Sequence, residues 1–200
     1  MTPSLTSLVA DVYSLTNRPD LVGETLIAIK NATLKAHISD FYYKDIFETG
    51  IEFELSQAQQ QLEYKTIIPR WRALKYIRKY DASVTPGVEG KFLEIITPEQ
   101  VLDSYSVTKE DVAYTAGLEL KIRSRTAEQY YLLGCYVYPP VDQSNFSSWI
   151  ADEFPATIVY EAASTVFKSI GFDEQAAYMR QTVSEYMMLL RNSNILANGF

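Results

Sequence analysis

Hydrophobic positions along this chain change period twice, from helical to alternating and back to helical. In the first block Leu5, Leu8, Val12 and Leu15 recur at helical spacing behind Thr2-Pro3, a cap followed by the proline that a first helical turn tolerates. Asn17-Arg18-Pro19-Asp20 interrupts this helix, and Val22, Leu26, Ile29, Thr33 and Ala36 predict the stripe of a second. Asp20 and Glu24 stand at its start and Lys30 and Lys35 toward its end, the charge order that a helix dipole favours. Ser39-Asp40 breaks the pattern before the aromatic segment FYYKDIF, and the helical part is expected to cover residues 1–48.

Residues 49–141 read as a β-rich insertion. Ile51, Phe53 and Leu55 alternate with Glu52 and Glu54, and further strands are expected over Leu62–Ile68, Trp71–Tyr80, Lys91–Ile96, Gly117–Arg123 and Tyr130–Tyr138. Leu118, Leu120 and Ile122 point one way while Glu119, Lys121 and Arg123 point the other. Thr97-Pro98 starts a short helical turn, and Val84–Gly90 is an exposed turn. The glycines of that turn lack the strand-to-helix context and the Lys-Ser/Thr of a phosphate cradle.

Pro139-Pro140 ends the last strand, and residues 142–191 return to helical spacing. Ser144 is expected to cap a short helix through Trp149. Ile158, Ala162, Val166 and Ile170 mark one face of a helix from Pro155, Gly171 ends it, and Asp173 with Glu174 opens the next. That helix carries Ala176, Met179 or Arg180, Val183, Met187 and Leu190 and forms an antiparallel hairpin with its predecessor. Residues 192–200 read as a polar tail. The three blocks predict an α+β fold in which N- and C-terminal helices form one bundle carrying an inserted antiparallel β lobe.

Composition adds contact chemistry rather than catalysis. The chain has 200 residues, 47% of them apolar, and fifteen are tyrosine and nine phenylalanine. Tyrosine combines large contact area with a polar tip, so such an excess suits either an aromatic sheet core or surfaces that become buried on association. Eighteen basic against twenty-five acidic residues leave a formal charge of −7, against sequence-specific DNA binding, though an acidic wall along which DNA slides remains open. The one basic cluster, Arg70 to Lys79, reads as a solvated sheet face. No apolar run reaches a bilayer-spanning length, and the N-terminus lacks a basic region and carries Asp11, so neither a membrane span nor a secretory signal is expected.

The single histidine, His37, and the single cysteine, Cys135, leave no nitrogen–sulfur metal set, and Cys135 lies in an apolar run that predicts an inert buried thiol. His37 reads as structural, since a Ser-His-Asp arrangement would require long-range partners that spacing does not identify. Asp152 and Glu153 sit where a helix starts, which helix-end electrostatics explains. No catalytic, cofactor or metal residue is assigned. Trp71 and Trp149 are either core anchors or interface anchors.

The segments LTNRPDLVGETLIAIKNATLKAH, DFYYKDIFE, GLELKIRSRTAEQYYLLGCYVYPP and the ending from Trp149 through EFPATIVYEAASTVFKSIGFDEQAAYMRQ resemble head-to-tail adaptor (connector) proteins of short-tailed bacteriophages. The shared pattern is a tryptophan-containing turn, a proline-led alanine-rich helix, a break (here Gly171-Phe172-Asp173) and a further alanine-rich helix. The resemblance implies a structural virion protein without cofactor, made in the host cytoplasm and placed at the head–tail junction. It would form a ring with copies of itself, usually twelve-fold, between the portal protein and the tail nozzle or tube, and DNA would pass through. Trp71, Phe146, Trp149, Ile195, Leu196 and Phe200 are its candidate interface residues, with 192–200 an arm that orders on the portal. The isolated subunit is expected to be monomeric. Three alternatives stay open: a head-completion or stopper protein of a long-tailed phage, a phage tail-associated hydrolase that would work through carboxylates, and an acidic regulatory or adaptor module of the host.

Overall fold

The computed structural model describes residues 5–52, 59–80, 91–102, 106–124 and 130–197. Its elements in chain order are α1 (Leu5–Thr16), α2 (Val22–Ile38), β1 (Ile46–Glu52), β2 (Gln59–Glu63), α3 (Tyr64–Ile67), β3 (Trp71–Tyr80), β4 (Lys91–Phe92), β5 (Glu94–Ile95), β6 (Val112–Ala116), β7 (Glu119–Arg123), β8 (Tyr130–Val137), β9 (Val141–Asp142), β10 (Asn145–Phe146), α4 (Trp149–Glu153), α5 (Pro155–Ser169) and α6 (Asp173–Ala197). The fold is α+β: helices from both ends of the sequence share one core, and the middle of the chain forms sheets. The chain separates into two units, residues 1–45 with 138–200, and residues 46–137.

In the first unit α5 is the central helix, and α1, α2, α4 and α6 pack on it. Proline at its first position and three consecutive small residues, Ala162, Ala163 and Ser164, let neighbouring backbones approach. Its Ile158, Ala162 and Val166 meet Leu8 and Val12 of α1, Ile29 of α2 and Leu190 of α6 in one buried cluster. Each large aliphatic side chain there contributes about 1.5–3 kcal/mol by leaving water. The buried face of α2 is turned relative to the expected stripe, and Val22 in its first turn is exposed. Thr25, Ala28, Ala32, Thr33 and Ala36 face inward with Ile29, because small side chains suit a close helix crossing.

The α5–α6 turn is specified locally. Gly171 takes φ +82°, the Phe172 N–H donates to the Phe167 carbonyl at 2.9 Å, and the Gly171 N–H donates to that of Lys168 at 3.3 Å. This is a Schellman motif, and the accompanying hydrophobic contact is the Phe167–Phe172 pair with centroids 6.4 Å apart. Ala176, Val183 and Leu190, seven residues apart, form the buried seam of α6. The expected tail is corrected for residues 192–197, which continue α6 to Ala197. Asn194 is the cause: its amide donates to Asp40 Oδ2 at 3.2 Å and to the Phe41 carbonyl at 3.3 Å, and its Oδ1 accepts from the Tyr43 N–H at 3.4 Å. Residues 141–146 form the hairpin β9–β10 instead of a helix capped by Ser144; the short helix α4 begins after Ser148.

The second unit holds two four-stranded sheets, in the orders β1-β8-β3-β4 and β2-β7-β6-β5. The segment expected as one strand, Lys91–Ile96, is two: β4 pairs antiparallel with β3, and β5 pairs parallel with β6. Leu93 and Ile96 are both buried, and an unbroken strand would send positions an odd number apart to opposite faces. The strand expected from Leu62 ends at Glu63, where α3 redirects the chain and sets Tyr64 onto the Trp71 ring at 4.6 Å. Strand β1 begins at Ile46, inside the region expected to be helical, while Phe53 and Leu55 lie outside the described residues, as do Thr2, Pro3, Val84–Gly90 and Phe200. Strand β6 escaped the period-2 test because Val112, Ala113 and Tyr114 are all buried, which leaves no alternation. Gly117, at φ +63°, and Leu118 form the turn of the β6–β7 hairpin, so Leu118 is exposed instead of joining Leu120 and Ile122 inside.

Candidate functional site

The C-terminal turn of α2, the segment after it and the start of α4 converge on a buried polar cluster. His37 Nδ1 lies 2.8 Å from Asp45 Oδ1, and His37 Nε2 lies 2.9 Å from Ser148 Oγ. Trp149 Nε1 donates to the same Asp45 oxygen at 2.7 Å. All three of His37, Asp45 and Ser148 are buried. The long-range partners that spacing alone does not identify are therefore present, and they have the connectivity of a Ser-His-Asp triad. Asp45 lies eight residues past His37 and Ser148 more than a hundred, so the pairing is a product of the tertiary fold.

What this cluster can do follows from how Ser148 is held. Its Oγ accepts the Ala151 N–H at 3.2 Å, acting as the N-cap of α4. A nucleophile needs an open face above its oxygen, whereas this one sits between an imidazole and a helix terminus. The neighbouring cavity, about 80 Å³, is bordered by Tyr42, Lys44, Trp149, Glu153 and Asn194, and neither His37 nor Ser148 lines it. Buried and hydrogen-bonded on both ring nitrogens, His37 ties the N-terminal and C-terminal parts of the unit together.

Trp149 is fixed within this unit. Its ring meets Tyr42 edge-on at 5.3 Å, His37 at 5.8 Å and Phe154 at 6.5 Å. Lys44 Nζ lies 5.0 Å from its centroid while binding Glu153 at 2.6 Å. Desolvation raises the Tyr42 phenol above its ordinary value, opposed by its hydrogen bond with Ser39. Trp71 belongs to the second unit, half-buried under Tyr64. Phe146 is half-buried at the hairpin and borders a cleft with Leu26 and Ile27. Ile195 and Leu196 project from the last turns of α6 into solvent.

The exposed apolar surface of α6 is wider than the two residues expected there. Met188 is 60% exposed, Leu189 55%, Ile195 49% and Leu196 75%. Their spacing of seven places Met188 over Ile195 and Leu189 over Leu196 on one face, away from the Leu190 seam. The sequence carries this signal as two superimposed stripes on one helix; the reading of 192–200 as a tail hid the second.

Burial pushes the Cys135 thiol up to about 12, which makes it an inert core group. Among the described residues no group of three or more His, Cys, Asp or Glu side chains could hold a metal ion, and no helix is long and apolar enough to cross a membrane. No protein-family model matches the chain, and no curated protein matches it.

Proposed function

We propose that this chain is a structural virion protein, a head-to-tail adaptor that forms a ring between the portal and the tail nozzle or tube and lengthens the channel through which DNA passes. The observation that carries this reading is the unpartnered apolar face at the end of α6. A face of that kind on a folded helix marks a surface that another protein covers. The resemblance of the proline-led helix, the Gly171-Phe172-Asp173 break and the helix beyond it points to the class of assembly. A net charge of −7 suits a conduit that DNA traverses without adhering.

The test is electron microscopy of the protein mixed with the portal ring encoded by the same genome. An added layer of density below the portal supports the reading, and unaltered portal rings overturn it.

The Ser148–His37–Asp45 connectivity raises a second reading, a serine hydrolase of the tail, against which the burial of Ser148 and its role as helix cap both count. A fluorophosphonate probe decides between them. Labelling that Ser148→Ala abolishes supports the hydrolase, and an unlabelled, folded protein removes it.

A further inference from the structure

We propose that the open edge of β1 takes up an extended, basic segment of a different protein as an added antiparallel strand. The inference does not rest on the adaptor reading.

Among the described residues β1 stands at the end of the order β1-β8-β3-β4, so one side of it pairs with β8 and the other faces no strand. In an antiparallel ladder alternate residues turn their N–H and C=O groups away from the partner, and at an edge these groups are a template for a further strand. The other edge strands are shorter: β4 and β5 have two residues each and β2 five, whereas β1 has seven. Its register against β8 runs from Ile46 to Glu52 without a bulge, and it contains neither proline nor lysine. Shortness, bulges, proline and lysine are the features that stop strands from adding to an edge, and β1 has none of them.

Both faces of β1 show what an added strand would cover. Phe47, Thr49 and Ile51 share the core side, opposite Cys135, Leu133 and Tyr131, all three of which are buried. Phe47 is nevertheless 46% exposed, at the rim where a further strand would shield it. Glu48, Gly50 and Glu52 share the opposite side. Nothing lies within 4 Å of the place that a Cβ would take at Gly50, so space is open between two acidic positions about 14 Å apart along the strand. The Tyr130 hydroxyl donates to Glu52 Oε1 at 3.0 Å and keeps that carboxylate on this side.

This pattern selects the occupant. Side chains directly opposite in an antiparallel pair stand close, so unlike charges stabilise the pair and like charges oppose it. The segment that fits carries lysine or arginine at two positions four apart, opposite Glu48 and Glu52, with a bulky residue midway to fill the space over Gly50. Its intervening side chains are β-branched or aromatic and lie on the core side beside Phe47. A second copy of this chain does not supply it. The strands that carry basic residues in number are β3 and β7, and each already lies between two neighbours, β8 and β4 for the one, β2 and β6 for the other.

Peptide binding tests the proposal. The probe is a capped, dye-labelled peptide in which lysine, tyrosine and lysine alternate with valine and threonine, and the readout is fluorescence anisotropy with the full chain. Saturable binding is expected, about tenfold weaker for a chain carrying both Glu48→Lys and Glu52→Lys and for a peptide with glutamate in place of lysine. Both glutamates are exposed, so the double variant should keep its circular dichroism. N-methylation of the peptide backbone separates strand addition from simple charge contact. Methyl groups on one alternating set of amides should abolish binding, and on the other set leave it unchanged, because an added strand bonds through one edge only. Absence of binding, equal binding to the double variant, or an equal response to the two methylated sets overturns the proposal. Sedimentation of the chain alone as a dimer that the peptide dissociates would give this edge to a second copy and overturn it as well.

Discussion

The ring of Tyr76 on β3 lies flat across Gly134, its cross-strand partner on β8, in the space that a Cβ at position 134 would need. Gly134 is therefore present for room and not for backbone conformation. The same ring meets Phe92 edge-on at 5.7 Å, and Arg78 stacks over Phe92 at 4.5 Å, so an aromatic layer covers a glycine in the central strand. Gly134→Ala should destabilise the chain by about 1–3 kcal/mol through overpacking. Tyr76→Ala in the same chain should recover part of that loss, a coupling readable as a double-mutant cycle in urea unfolding. Additive losses would contradict the contact.

The polar cluster in the helical unit predicts unequal losses. Asp45 receives both His37 and Trp149, so Asp45→Ala should cost about 2–4 kcal/mol by leaving a buried imidazole and a part-buried indole N–H without their acceptor. Ser148→Ala removes a helix cap and should cost about 1 kcal/mol. Urea unfolding followed by Trp149 fluorescence in a Trp71→Phe background separates the two. Equal losses would show that Asp45 is no hub.

Gly171 holds a left-handed backbone at φ +82° with open space around its Cβ position. Gly171→Ala should therefore cost about 1–2 kcal/mol from conformation alone. Gly171→Asn should cost less, since asparagine tolerates this region. Thermal unfolding of the two variants checks the order.

Alkaline pH should weaken the fold through Cys135. Its thiol titrates at about 12 in the fold against an ordinary 9.0, so the unfolded chain releases this proton first. Below pH 9 the stabilising difference is fully present, and as pH rises from 9 toward 12 it is lost at about 1.4 kcal/mol per pH unit. Tyr42, raised mainly by burial, adds loss in the same direction above pH 10. Cys135→Val should flatten the 9–10 part of the profile measured by urea unfolding. An unchanged slope would place the alkaline loss elsewhere.

Much of the architecture is legible in the sequence because local rules are enough for it. The Pro155 start, the Gly171 break and the Ile158-Ala162-Val166 face together write the α5–α6 hairpin, and Trp71–Tyr80 reads as a strand with the observed limits. Elements whose burial is uniform or broken defeat the same rules. Strand β6 hides because its consecutive residues are all inside, and Leu93 and Ile96 break one apparent strand between two sheets.

Sequence by itself determined the α+β order, the proline-led start of α5 and the glycine break before α6, since each depends on residue type and spacing within a few turns. Tertiary structure alone decided that His37 meets Ser148, that Asn194 holds residues 192–197 in helix, and that Met188 and Leu196 stay uncovered. Such facts join positions far apart in the chain, where contact depends on how faces pack and not on any local period.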